Sequence, residues 1–244
     1  MPPTSKSPTP SSSCKYPGGP GAEPPAVAGR HEPALEWREG GVPVATRFDD
    51  PYFSLADGLA ETRHVFLTGN DLPARLVPGF HVAELGFGTG LNCLALAAIT
   101  EMPVRMTSFE AFPMSLPQLE QAHAAFPELA DLAAELRAGW DREVIAVGQV
   151  ELRLIKGNVR ETLPQWQGRA DAWFLDGFSP AKNPEMWSDE LLAEVRRHTA
   201  PGGSFATYTA AGHVRRALEA AGFSVERRPG FGRKRHMSTG RMPL

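Results

Sequence analysis

The chain has 244 residues, with 25 Lys and Arg against 28 Asp and Glu and 42% hydrophobic residues, enough to bury the core of one ordinary domain. That composition excludes a fibrous or wholly disordered chain. The longest apolar stretch, around Leu91 to Ile99, falls well short of the roughly 20 residues that a membrane-spanning helix needs. Cys14 and Cys93 lie far apart, one in a polar stretch and one in an apolar run, so neither a disulfide framework nor a zinc cluster is expected. The expected setting is the reducing cytoplasm, with no membrane and no metal partner.

Residues 1–30 are almost exclusively Pro, Ser, Gly and Ala, with Lys6, Lys15, Glu23 and Arg30 as the only charges, and read as a disordered tail. From Ala34 the pattern predicts an extension over 31–78. Leu35 and Trp37, then Gly40-Gly41, then Val42, Val44 and Thr46 read as a small hairpin, and a helix follows near Leu59 to Leu67, with Gly69-Asn70 as its stop signal. Over 79–238, apolar β-type runs alternate with amphipathic helical stretches, the signature of βαβ units and a parallel sheet. The predicted strands are His81 to Leu85, Val104 to Glu110, Val150 to Lys156, Ala172 to Asp176, Ser204 to Thr209, Phe223 to Arg228 and Arg233 to Met237. The expected fold is therefore α/β and Rossmann-like, a seven-stranded, mostly parallel sheet with helices on both faces, ending in a short tail over 239–244. A Ser115-x-x-Gln118 capping box should start one helix, and Gly222 should close another over Ala211 to Ala221.

The stretch from His81 to Asn92 is a β-run, a glycine turn and a helical run. Glu84, Gly86, Gly88 and Gly90 alternate along it, and glycines so spaced let the backbone turn sharply and approach a ligand closely. A dinucleotide fingerprint would place its third glycine where Leu91 stands, so a nicotinamide enzyme is the weaker reading. The spacing resembles instead that of S-adenosylmethionine-dependent methyltransferases, in which an acid near the turn engages the methionine ammonium. Twenty residues past Gly90 the next strand ends at Glu110, where this fold class presents an acid to ribose hydroxyls. Asn158 follows the third strand, at a position suited to adenine. Asp176 ends the fourth strand and is followed by Phe178, an arrangement suited to holding an incoming amine in line with a sulfonium methyl. The C-terminal ends of the first four strands thus converge on one crevice.

The last eighteen residues carry Arg227, Arg228, Arg233, Lys234, Arg235 and Arg241 and no acid, while the rest holds 19 bases against 28 acids. An acidic body ending in a basic strip is suited to a polyanion or to simple solvation.

The segments Asp49 to Ser54, Glu84 to Asn92, Trp173 to Trp187 and Gly230 to Arg235 together resemble the tRNA 5-methylaminomethyl-2-thiouridine methyltransferases, the MnmC or MnmD family, over about Ala34 to Met237. The run from Trp173 to Trp187 is the most specific of them. The resemblance implies transfer of a methyl group from S-adenosylmethionine to the primary amine of 5-aminomethyl-2-thiouridine at the tRNA wobble position. It implies cofactor contacts from Glu84, Gly86, Gly88, Gly90, Asn92, Glu110, Asn158 and Asp176, and a catalytic site at Asp176 and Phe178. It differs from the family where Asn158 stands for a frequent acid and where Pro51 replaces a small aliphatic residue. Many relatives carry a C-terminal FAD-dependent oxidase; with no second glycine fingerprint before Leu244, the transferase half alone is expected, acting as a monomer. On this reading Tyr52, Phe53 and Trp187 stack on the extruded base of the anticodon loop, and Lys182, Arg215, Arg216, Arg233, Lys234 and Arg235 meet phosphates. Two other readings are an aminopropyl- or other small-amine transferase of the same fold and a non-catalytic RNA-binding module.

Overall fold

The computed structural model describes residues 32–54 and 57–243; the predicted tail over 1–30 lies outside the described residues. The described residues open with β1 (Leu35–Arg38), β2 (Val42–Ala45) and β3 (Asp50–Pro51), which pair antiparallel into a three-stranded sheet. The helix α1 (Gly58–Thr62) starts under a cap, Asp57 Oδ1 accepting from Ala60 N at 2.8 Å, and runs on through a wider turn over Arg63–Leu67. Asn70 and Arg75 then staple this extension to the body. Asn70 Nδ2 donates to the carbonyl of Trp173 at 3.2 Å, and Arg75 Nη2 donates to the carbonyl of Asp171 at 3.1 Å.

The remaining elements alternate as the hydrophobic pattern predicts: β4 (His81–Leu85), α2 (Leu91–Ala97), β5 (Val104–Glu110), α3 (Leu116–His123), α4 (Ala130–Ala138), β6 (Ile145–Val147), β7 (Val150–Lys156), α5 (Val159–Thr162), β8 (Ala170–Leu175), α6 (Asp189–Arg197), β9 (Thr199–Thr207), α7 (Gly212–Ala220), β10 (Ser224–Pro229) and β11 (His236–Arg241). The Ser115 cap forms, Gln118 Oε1 accepting from Ser115 N at 3.0 Å, and Gly222 follows α7 at φ 105°. The strands order as β10-β11-β9-β8-β4-β5-β7-β6. From β9 to β7 neighbouring strands are parallel, and β11 runs antiparallel between β9 and β10. One apolar cluster packs Leu59, Leu94, Leu119 and Leu136 from α1 to α4 on one face of the sheet, and the other packs Val159, Leu192 and Leu218 from α5 to α7 on the opposite face.

Three expectations are corrected. The sheet has eight strands, not seven, because Ile145–Val147 folds back on β7 through Gly148, whose φ of 53° makes the hairpin turn; a three-residue strand leaves almost no alternation to read. The last strand is His236–Arg241 and not Arg233 to Met237, so residues 239–241, expected as tail, pair with β9, Thr239 with Ala206 and Gly240 with Phe205. The fourth parallel strand stops at Leu175, which leaves Asp176 as the first residue beyond the sheet edge.

Candidate active site

The strand order reverses at β4, with β8 on one side and β5 on the other, and the crevice beyond their C-terminal ends is where this topology places ligands. A cleft of about 970 Å³ lies there, lined among others by Tyr52, Gly86, Gly88, Asn92, Glu110, Asn158, Asp176, Phe178, Tyr208 and Lys234. Its floor is the glycine turn. Gly86 stands at φ 90° with the carbonyl oxygen of Asp176 2.5 Å from where its Cβ would be, so β4 and β8 approach as only glycine permits. At Gly88, φ is 54° and a Cβ would lie 2.9 Å from the ring of Tyr52, so any side chain there would enter the cleft wall. Gly90 precedes α2 and packs on Phe87, away from the cleft lining.

Three acids approach this floor and are held in different ways. Glu110 closes the turn itself: Oε2 accepts from Gly88 N at 2.9 Å and Oε1 from Phe112 N at 2.8 Å. Burial raises its pKa while these backbone donors hold it down. Glu84 is fully buried and lies behind the cleft wall, accepting from Asn92 Nδ2 at 2.8 Å and from Ser108 Oγ at 2.6 Å. Its burial pushes it well above the usual carboxylate range, although the Ser108 bond opposes this. Glu84, expected to contact a ligand ammonium, does not line the cleft and bonds Asn92, which does. The same Asn92 Nδ2 donates to Asp176 Oδ2 at 2.7 Å, joining the ends of two strands through one amide. Asp176 is pushed up to about 7, chiefly by burial, with the Asn92 bond and Lys234 opposing and Glu61 adding. Asn158 caps α5, its Oδ1 accepting from Arg160 N at 3.1 Å, at the cleft's edge.

The turn after β8 is built on aromatic contacts. Phe178 stacks on Phe48 at 4.7 Å between centroids and meets Tyr52 edge-on at 5.1 Å, so the extension supplies one wall of the cleft. Phe53 lines the cleft and packs on Phe126. Trp187, expected to stack on a base, is 3% exposed and does not line the cleft; its Nε1 donates to the carbonyl of Phe178 at 2.8 Å and holds the turn. Lys182, expected at phosphates, is taken up by the extension: its Nζ lies 3.2 Å from Asp49 Oδ2 and 3.8 Å from Asp50 Oδ1, while Asp50 Oδ2 accepts from Ser179 N.

The loop between β10 and β11 carries the basic triplet across the mouth. Lys234 Nζ is bound to Glu61 Oε1 at 2.7 Å and sits 4.2 Å above the ring of Tyr208, so it too is no free phosphate ligand. Arg233 lines the mouth, and Arg235 is exposed. Arg215 does not line the cleft; desolvation first, and then the charges of Arg227, Arg235 and Arg215, lower the pKa of His236. Arg216 is exposed on the same helix. Sequence reasoning missed Glu61 and Tyr208. An acid on a short amphipathic helix reads as solvated, whereas Tyr208 follows the fifth parallel strand just as Asp176 follows the fourth, and that strand-end position was a usable signal.

The glycine cradle, the cleft at the strand switch and the acids around it fit an adenosyl ligand carrying an amino-acid group. A family model described as S-adenosyl-L-methionine-dependent methyltransferase matches residues 120–243, just over half of the chain, which therefore belongs to this family of methyltransferases. The chain is 46% identical over 224 residues to the tRNA 5-methylaminomethyl-2-thiouridine biosynthesis bifunctional protein MnmC of Chromobacterium violaceum, covering 84% of this chain and 34% of that protein. The same bifunctional protein of Ectopseudomonas mendocina is 49% identical over 232 residues, covering 86% of this chain and 35% of that protein. The chain spans about a third of the length of these relatives. In fold it is similar to the crystal structure of MNMC2 from Aquifex aeolicus, with a TM-score of 0.68 at 22% identity, covering 88% of this chain and 73% of that one. Among the described residues no helix is long and apolar enough to cross a membrane, and no group of three or more His, Cys, Asp or Glu is placed to hold a metal ion.

Proposed function

We propose that the chain methylates the primary amine of 5-aminomethyl-2-thiouridine at the wobble position of tRNA, giving the 5-methylaminomethyl nucleoside. The observation that carries this reading is Asp176, a half-buried carboxylate just beyond β8 that lines a cleft floored by the glycine turn and is pushed up to about 7, chiefly by desolvation. The bifunctional relatives, named for the biosynthesis of this nucleoside, support the choice of acceptor.

When bound, S-adenosyl-L-methionine supplies a methyl group on a sulfonium, which an amine nitrogen with a free lone pair takes as the carbon–sulfur bond breaks. Gly86 and Gly88 make room for it, and Glu110 faces the same space beside the turn whose amide it holds. An alkylamine titrates near the lysine reference of about 10.4, so the acceptor arrives largely as an ammonium and must lose a proton before it attacks. Asp176, pushed up to about 7, accepts that proton far better than a solvated carboxylate would. Asn92 fixes Asp176 Oδ2 and leaves Oδ1 for the amine. Phe178, backed by Phe48 and Tyr52, walls the site and excludes water. Trp187 holds the Phe178 carbonyl in place behind the turn.

The test is to incubate the chain with methyl-labelled S-adenosyl-L-methionine and tRNA bearing 5-aminomethyl-2-thiouridine, then digest the tRNA and identify the labelled nucleoside by mass spectrometry. Label in 5-methylaminomethyl-2-thiouridine is expected; label elsewhere, or none, refutes the reading.

A further inference from the structure

Lys234 carries the same group as the proposed acceptor, a primary ammonium on a short alkyl arm, and it occupies a specific place in the cleft. Its Nζ is 2.7 Å from Glu61 Oε1 and 4.2 Å above the centre of the Tyr208 ring. Glu61 is only 13% exposed in its side chain, whereas the Lys234 side chain is 46% exposed, so the carboxylate belongs to the cleft wall and the lysine reaches it from outside. Tyr208 is itself fixed: its hydroxyl donates to the carbonyl of Gly177 at 2.8 Å, on the turn that carries Asp176 and Phe178. Glu61, Tyr208, Asp176 and Lys234 all line the one cleft, and Glu61 and Lys234 both act electrostatically on Asp176. A buried-side carboxylate beside an aromatic face is the environment that holds an alkylammonium most firmly, the ion pair being strengthened by desolvation and the ring adding its own attraction.

Lys234 is also well placed to leave. It lies in the connection between β10 and β11, whose backbone is closed by bonds from Lys234 N to the carbonyl of Phe231 and from Gly230 N to that of Arg235, so its half-exposed side chain can swing away while the turn stays in place.

We infer that Glu61 and the face of Tyr208 form the subsite that receives the acceptor's ammonium, and that Lys234 holds this subsite until the acceptor displaces it. This rests on the amine-acceptor reading given above. It adds a selection step before the chemistry: the acceptor is admitted as a cation at Glu61, next to Asp176, which then takes the proton. A nucleoside lacking the amine leaves Lys234 where it is and gains nothing from either group.

The experiment compares the wild-type chain with K234M and E61Q in steady-state methylation of tRNA bearing 5-aminomethyl-2-thiouridine. It is paired with competition by the same tRNA lacking the aminomethyl group and with calorimetric titration of S-adenosyl-L-methionine. Intact cofactor affinity marks each variant as folded. Removing the resident cation should lower KM for the amine-bearing tRNA several-fold in K234M. In E61Q, loss of a charged hydrogen-bond partner should raise it by about tenfold to a hundredfold, and the preference for amine-bearing over amine-lacking tRNA should fall by the same factor. A raised KM in K234M would overturn the place-holding role and assign the lysine to phosphate binding; an unchanged KM and preference in E61Q would overturn the subsite. If the wild-type chain itself transfers no methyl group to the amine-bearing tRNA, the functional reading falls first, and this inference with it.

Discussion

Replacing Asp176 by Asn should cost activity and raise stability, and the size of the gain is set by where the carboxyl sits. Its pKa moves from the ordinary 3.8 to about 7, mainly through burial. Between those two values the folded chain binds more protons than the unfolded chain, so this group makes stability fall as pH rises from about 4 to about 7, and the loss persists above. Such a rise corresponds to about 4 kcal/mol at pH 8 and to under half of that at pH 5, as upper bounds, because the cleft can relax around the charge. Asn keeps a side-chain oxygen for the bond from Asn92 and carries no charge at any pH. The expected outcome is a melting temperature raised at pH 8 by on the order of 10 °C at most, with a clearly smaller gain at pH 5. Calorimetric scans of both chains at the two pH values measure it, alongside loss of most of kcat in the transfer assay. An equal gain at pH 5 and pH 8, or none at pH 8, would refute the argument that burial of an ionised Asp176 is what the fold tolerates for the sake of chemistry.

Other expectations follow from the same geometry. Gly88→Val forces a side chain at φ 54° against the Tyr52 ring, and calorimetry should find no measurable binding of S-adenosyl-L-methionine to a chain that still melts cooperatively. Glu110→Ala frees the amides of Gly88 and Phe112, so the same titration should weaken by about tenfold to a hundredfold. Trp187→Phe removes the indole donor to the Phe178 carbonyl, and kcat should fall while cofactor affinity stays within a few-fold. The pH profile of kcat should fall on the acid side as Asp176 is protonated near 7, the protonated form being unable to take the amine's proton. Arg227, Arg233 and Arg235 are exposed and make no ion pair among the described residues. Replacing all three by Ala should flatten the dependence of log K for tRNA on log salt by up to about 2 to 3, and an unaltered slope would place the RNA elsewhere.

The parallel sheet was legible because its strands are buried on both faces. Val82-Ala83 and Trp173-Phe174-Leu175 read as unbroken apolar runs, and each is followed by a residue, Gly86 or Asp176, that breaks the pattern at the cleft. Elements at the sheet's periphery were less legible, since β6 offers three residues and β11 hides its apolar positions among small and polar ones, Ser238, Thr239 and Gly240. Gly240 marks the strand only in three dimensions: a Cβ there would lie 2.2 Å from the ring of Phe205, so the neighbouring strand, not the local sequence, dictates the glycine.

Charge was legible in amount and misread in destination, and the reason is distance along the chain. No acid follows Glu226, so the C-terminal strip counts as uncompensated in sequence, yet the extension some 170 residues earlier supplies Glu61 for Lys234 and Asp71 for Arg241, while Arg228 pairs with Glu226 at 3.0 Å and reaches Asp71 at 3.9 Å. The same extension pairs Lys182 with Asp49 and Asp50, although the lysine stays exposed. Residues 32–78 therefore do more than cover the sheet. They pair Lys182 and Lys234, which a local reading assigns to phosphate, with acids of the cleft wall, and leave Arg227, Arg233 and Arg235 of the strip exposed and without an ion pair among the described residues. A segment that reads as an appendage thus adds the charge of Glu61 to the surroundings of Asp176 and divides the basic strip, and removing its acids should alter acceptor selection before it alters the fold.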